Sequence, residues 1–173
     1  IDAPFGWDWQ ADAQSLRVGY VPEWFEGENA TDVDRRALEA VRVIGAKPIE
    51  VSVPDFPYSM LYQLVLAEAA AAFAPLTSSN RDDELRRQDD MAWPNSIRRA
   101  HLFPAVEMVQ LERMRCQVMV AFDGLFSTVD AIIGPSLAAN MISATNASGH
   151  PCLALKAGFL DRPTRTMTNE PLD

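Results

Sequence analysis

Few side chains in this sequence combine reactive chemistry with suitable neighbours. His150 lies between Gly149 and Pro151. An imidazole can act as a general base, but it needs a nucleophile in reach and a carboxylate to orient it. The sequence identifies neither, so a structural histidine in a fixed turn is the preferred reading. His101, between Ala100 and Leu102, reads as a partly buried surface residue. Glu68 lies among alanines. A buried carboxylate there could be a tuned acid, but pairing with an arginine would satisfy its charge and is preferred. Arg113 and Arg115 project from a long helical stretch. A guanidinium grips a carboxylate or carbonyl at two points; a salt bridge to Glu112 or to another element is the plainer alternative. Cys116 and Cys152 are flanked by apolar residues and read as buried free thiols, with a disulfide left open. No metal-ligand spacing exists, and no metal or cofactor is expected.

The remaining polar candidates depend on where the chain places them. Asp130-Ala-Ile-Ile-Gly-Pro-Ser136 reads as a short buried strand, Ala131 to Ile133, stopped by Gly134 and Pro135. Ala144-Thr-Asn-Ala-Ser-Gly-His-Pro151 reads as a polar turn running into another strand, Cys152 to Lys156. That layout puts Ser136, Thr145, Asn146 and Ser148 at strand ends, where open α/β sheets bind their ligands.

The rest of the chain supplies the frame. Leu16 to Val21 and Pro48 to Val53 read as strands. Between them, Thr31 caps a helix whose stripe is Val33, Ala37, Val41 and Ile44, ended by Gly45. Two strands joined by a helix make a parallel, right-handed crossover. Ser59 is expected to cap a helix from Met60 to Phe73, apolar on more than one side. Arg81 to Asp90 reads as exposed, charged surface, and Trp93-Pro94 begins a new section. Pro104 suits the first turn of a long helix toward Phe126. Val106, Val109, Met114, Val118, Phe122 and Leu125 form its expected buried side. The fold class is α/β: part of a mixed β-sheet covered by helices.

These pieces, in this order, resemble the C-terminal part of the amidase signature family. There, an aspartate-led strand ending in Pro-Ser or Pro-Thr precedes a Thr-Asn-x-x-Gly-x-Pro turn, as Asp130 to Ser136 and Thr145 to Pro151 do here. Leu16 to Val21 resembles the strand after the family's central linker. Arg36 to Ala46 and Ile49 to Asp55 resemble the helix and strand that follow. Ala67-Glu-Ala-Ala70 and Pro104 to Arg115 resemble two later helices. The resemblance implies an amidase that hydrolyses a carboxamide with a lysine and two serines. It also implies Thr145, Asn146 and Ser136 in the substrate pocket, with Arg115 at the position of a substrate-contacting arginine of glutamine-using members.

The family's glycine- and serine-rich catalytic strip has no counterpart. The eight glycines include no adjacent pair, Ser78-Ser79 has no glycine nearby, and the lysines are Lys47 and Lys156. The chain is therefore expected to carry no catalytic residue. Residues 1–15 read as a linker, with Phe5, Trp7 and Trp9 free to dock. Residues 16–173 read as the C-terminal segment of an amidase domain whose N-terminal half is the missing partner. The A subunit of tRNA-dependent amidotransferases carries an Arg-Tyr-Asp-Gly run where this chain has Phe73-Ala-Pro-Leu-Thr77, so a stand-alone amidase is preferred. A non-catalytic α/β domain that binds a small ligand or a partner is the alternative.

Composition bounds the partners. The 173 residues are 48% hydrophobic, enough for a real core. A net charge of −9 excludes a basic nucleic-acid surface and disfavours anionic lipid. No apolar run approaches the ~20 residues of a membrane span. The expected partners are a small-molecule amide and the rest of the same protein, with self-association possible, no nucleic acid and no membrane. The compartment stays open, with the cytoplasm favoured.

Overall fold

The computed structural model describes residues 12–28, 30–136 and 138–161. Its residues group into two compact units. One takes residues through Ser52, Phe126–Ser136 and residues from Leu153 onward; the other takes Val53–Leu125 and Leu137–Cys152.

The first unit is built on a parallel sheet. β1 (Arg17–Tyr20) is followed by α1 (Glu23–Glu26), α2 (Asp32–Val43) and β2 (Lys47–Glu50). β3 (Ala131–Ile133) arrives much later and pairs with the other side of β1, giving the order β2-β1-β3. Both pairings are parallel, with Val18 opposite Pro48 and Ala131. Among the described residues the sheet is therefore parallel rather than mixed. Thr31 caps α2 as its sequence requires. Its hydroxyl accepts from the Asp34 N–H, and the Asp34 carboxylate accepts from the Thr31 N–H at 2.9 Å. The helix ends at Gly45, whose φ of +89° suits glycine. Val33, Leu38 and Val41 form its buried side, while Ile44 points into water. Gly19 lets β1 lie close over Val51 and Val129; a Cβ there would sit 3.2–3.3 Å from both side chains.

Arg17 and Asp130 set the register of β3. The Asp130 carboxylate accepts from the Arg17 backbone N–H and from its guanidinium at 2.8 Å each. In return the Asp130 N–H donates to the Arg17 carbonyl at 2.8 Å. The charge-assisted bonds join the amino ends of β1 and β3, which fixes where their carboxyl ends finish.

The second unit is helical. α3 (Tyr58–Ala72), α4 (Ala74–Ser78), α5 (Trp93–Ala100) and α6 (Ala105–Phe126) precede α7 (Met141–Ser148), and α3 packs against α5 and α7. Leu61, Leu64 and Ala70 of α3 are buried with Ile97, Leu111, Val118, Phe122, Ala144 and Ala147. α3 begins at Tyr58 without a side-chain cap, so Ser59 does not cap it. Instead the Tyr58 hydroxyl donates to the Pro54 carbonyl and closes the preceding turn. The long helix occurs as expected, with Val118 and Phe122 buried and Met114 and Leu125 half-buried, but the expected stripe fails at its start. Leu111, Val118 and Phe122 are its buried residues, while Val106 and Val109 are 70% and 53% exposed.

Residues 81–90 are not uniformly solvated. Asp82 is 3% exposed, and Arg98 of α5 brings Nε 2.6 Å from its Oδ2 and Nη2 2.6 Å from Asp83 Oδ1. The ion pair with Arg98 offsets the cost of burying the Asp82 carboxylate. Glu68 is exposed, which removes the reason to expect a buried arginine partner. His101 is likewise fully at the surface, and both cysteines are free and exposed.

The region from Met141 onward departs most from expectation. The residues read as a polar turn form α7, whose buried side is Ala144, Ala147 and Ser148. Gly149, at φ +79°, ends it with its N–H on the Thr145 carbonyl. Gly-His-Pro is thus a helix stop. The strand expected over 152–156 is absent: residues 151–160 are outside any sheet, and Leu153 and Leu155 are 79% and 76% exposed. Phe5, Trp7 and Trp9 lie outside the described residues.

Candidate functional site

In the first unit the three strands finish on one side, at Tyr20, Glu50 and Ile133. The chain leaves β1 toward β2 and returns on the opposite side as β3. The β1/β3 boundary is therefore where the direction of connection reverses, the usual place for a ligand crevice. Two short segments border it. One is Val21-Pro22 and α1 after β1; the other is Gly134-Pro135-Ser136 after β3. Trp24 of α1 lies directly against Gly134, where a Cβ would come within 2.7 Å of the indole ring. That approach requires glycine. Ser136 is exposed beyond it.

On the β1 side a cavity of about 340 Å³ opens between α1 and α2, with Tyr20, Pro22, Phe25 and Leu38 on its apolar wall and Glu26, Glu39, Arg35 and Arg42 on its charged wall. Tyr20 and Phe25 meet edge to face, with ring centroids 6.3 Å apart. Both guanidiniums are committed: Arg35 holds Asp32 at 2.7 Å and Arg42 holds Glu39 at 2.8 Å. The cavity can take a small apolar or flat group against its aromatic wall.

The other expected site residues are in the helical unit. Thr145 and Asn146 are neighbours on α7, not residues of a strand end. Thr145 is half-buried, with its hydroxyl donating to the Ile142 carbonyl at 3.3 Å, and Asn146 is exposed. Arg115, on α6, makes an i−3 pair with Glu112: Nη2 and Nε each lie 2.8 Å from the same carboxylate oxygen. The plainer alternative for Arg115 is the one observed. Arg113 turns to Gln110.

One pairing has no sequence signal beyond its spacing. Ser148 Oγ lies 2.7 Å from His150 Nδ1, and the imidazole rests on Phe122 with centroids 5.3 Å apart. A serine touching a histidine suggests nucleophilic catalysis. The geometry assigns it otherwise. Ser148 is 9% exposed and its hydroxyl donates to the Ala144 carbonyl at 2.6 Å. With its single proton used there, Ser148 accepts from His150 Nδ1–H. The pair ties the residue after the helix stop back to α7, as a structural histidine would. Among the described residues no cluster of His, Cys, Asp and Glu could hold a metal ion. No helix of the described residues is long and apolar enough to cross a membrane.

No family model matches the chain, and no solved structure matches it significantly. The chain is similar to a fatty acid amide hydrolase of Medicago truncatula: 26% identical over 157 residues, covering 87% of this chain and 24% of the relative. It thus spans about a quarter of the length of that curated relative. The similarity agrees with the amidase resemblance at the level of an amidase-type hydrolase.

Proposed function

We propose that this chain forms part of the substrate-pocket wall of an amidase-type hydrolase and carries none of the catalytic groups. The observation behind this reading is the similarity to a fatty acid amide hydrolase along 87% of the sequence. A carboxamide is the substrate class, and a fatty acid amide is the first member to test, given the relative's name. In the reaction a lysine and a bridging serine outside this chain take the proton of a second serine. That serine attacks the amide carbonyl, and backbone N–H groups stabilise the oxyanion. The amine leaves with a proton, and water then releases the acid and frees the serine.

Ser136 beside the β1/β3 crevice is the pocket residue best supported by geometry. Thr145 and Asn146 would contribute from α7. Arg115 would have to exchange Glu112 for a substrate carbonyl or carboxylate. A stand-alone amidase remains preferred over a transamidation subunit, because Phe73-Ala-Pro-Leu-Thr77 lacks the tyrosine and aspartate of the latter.

The test is turnover of a fatty acid amide and of a simple carboxamide. The purified 173-residue chain should hydrolyse neither. A longer polypeptide that joins it to a lysine- and serine-bearing half should hydrolyse one of them. Turnover by the 173-residue chain that a point change within it abolishes would overturn this reading.

A further inference from the structure

The helical unit contains a groove that the amidase reading does not use. It lies where the start of α3 meets the first half of α6 and has a volume of about 500 Å³. That is within the range of pockets that hold small organic molecules. Its apolar lining is Phe103, Leu111, Met60 and Met114. Leu111 is 5% exposed, Phe103 and Met114 are half-buried, and Met60 is 52% exposed at the rim. Two flexible thioethers in the lining let the walls adapt to a chain of variable shape.

Its charged lining residue is Glu107, in the first turn of α6. Glu112, the next acid along α6, is held by Arg115. Glu107 has no ion pair among the described residues. Gln110, one turn further along α6, adds an amide to the rim. The groove thus offers an apolar floor of limited length beside one unpaired carboxylate, in a chain of net charge −9. Complementarity on both counts describes one ligand class.

We infer that this groove binds an aliphatic ammonium amphiphile, with the alkyl chain over Leu111 and the methionines and the ammonium on Glu107. The other polar lining residues, Ser59, Gln63 and Gln110, are neutral, and Arg113 reaches the rim only through Gln110, so Glu107 is the one formal charge in the lining. A carboxylate of the same chain length would face Glu107 and lose the attraction.

Calorimetric titration of the 173-residue chain with n-octylammonium chloride, followed in parallel by methionine methyl NMR, tests this. Saturable one-to-one binding is expected, with shifts concentrated on Met60 and Met114 among the seven methionines. Affinity should rise about three- to fourfold per methylene from butyl- to octylammonium. Octanoate should bind about fivefold more weakly than octylammonium, the modest factor expected of an exposed charge. Glu107→Gln should abolish that preference while leaving the chain-length dependence intact. Glu107 is exposed, so the variant should fold, and circular dichroism checks it. Absence of saturation, shifts spread over all methionines, or octanoate bound as tightly as octylammonium would each overturn the inference. So would a preference that survives Glu107→Gln.

Discussion

Asp130 leads the Gly-Pro-Ser strand, yet it acts at the end of β3 opposite Ser136. Hydrogen bonds from the Arg17 side chain, then from its backbone N–H, hold the Asp130 carboxyl below the usual carboxylate value of 3.8. A depressed folded value means that the contribution is complete above pH 3.8. It is lost as pH falls through the lower folded value. Asp130→Asn should therefore be less stable than wild type at pH 6, and the gap in melting temperature should narrow as pH falls progressively below 3.8. A gap that does not narrow there would mean that packing, not charge, holds β3. Tyr58 gives the opposite limb. Burial first, and the Asp55 carboxylate second, push its phenol up from 10.0 to about 12. A raised value leaves stability intact below pH 10. It then falls up to about pH 12, because the unfolded chain ionises first. In Tyr58→Phe the melting temperature should fall less between pH 9.5 and about 11.5 than in wild type, although at pH 7 the variant gives up a hydrogen bond worth about 1 kcal/mol. Equal alkaline slopes would show that Tyr58 ionises freely. Neither residue announced its role in the sequence, since each depends on a partner that only the fold supplies.

At the scale of elements, what the sequence revealed was what is local. Thr31, Asp34 and Gly45 start and stop α2 through bonds to residues within a few positions, so they can be read directly. Thr31→Ala should cost about 1 kcal/mol in chemical denaturation, and Thr31→Asp much less. The existence of α6 was equally plain from Pro104 and the length of the pattern. Most of its buried face was plain too, through Met114, Val118, Phe122 and Leu125, but Val106 and Val109 were misassigned, because α6 is apolar on more than one side and its neighbours decide which stripe is covered. The same holds within α3. Leu61 is fully buried and Met60, its neighbour, is 52% exposed. Leu61→Ala should cost roughly 2–5 kcal/mol, while Met60→Ala should stay within about 0.5 kcal/mol. Similar losses at the two positions would contradict the observed rotation of α3. The two misread segments fail for a shared physical reason. Thr145, Asn146 and Ser148 are modest helix formers, so propensity pointed to a turn. Burial of Ala144 and Ala147 against α3 outweighs that preference. Cys152 to Lys156 has strand-like composition, but a strand exists only where another strand pairs with it. Ser136 survived as a strand-end residue because β3 does have that partner; Thr145 and Asn146 lost theirs with the missing strand.

Across the whole molecule, the balance between exposed apolar surface and net charge sets solution behaviour. Both units leave large apolar side chains in water. In the first, Val43 is 78% exposed and Phe159 80%; in the second, Leu102 is 82% and Val120 74%. Scattered apolar residues are ordinary on a protein surface, but α6 carries Val106, Val109 and Val120 on its exposed side, and residues 153–159 carry Leu153, Leu155 and Phe159 in one short stretch. Residues in such runs favour association. The net charge of −9 opposes it between identical chains. That repulsion is long-ranged and screened by salt, with a Debye length of about 30 Å at 0.01 M and about 3 Å at 1 M. Apolar contact is short-ranged, and salt does not weaken it in the same way. The chain should therefore be mostly monomeric in dilute buffer and form oligomers as salt rises, with an environment-sensitive dye binding at both ends of the range. Sedimentation velocity across a salt series makes the distinction. Oligomers that dissociate as salt is added would assign the association to ion pairs. A monomer at every salt concentration that binds no dye would show that these side chains do not act together as a surface.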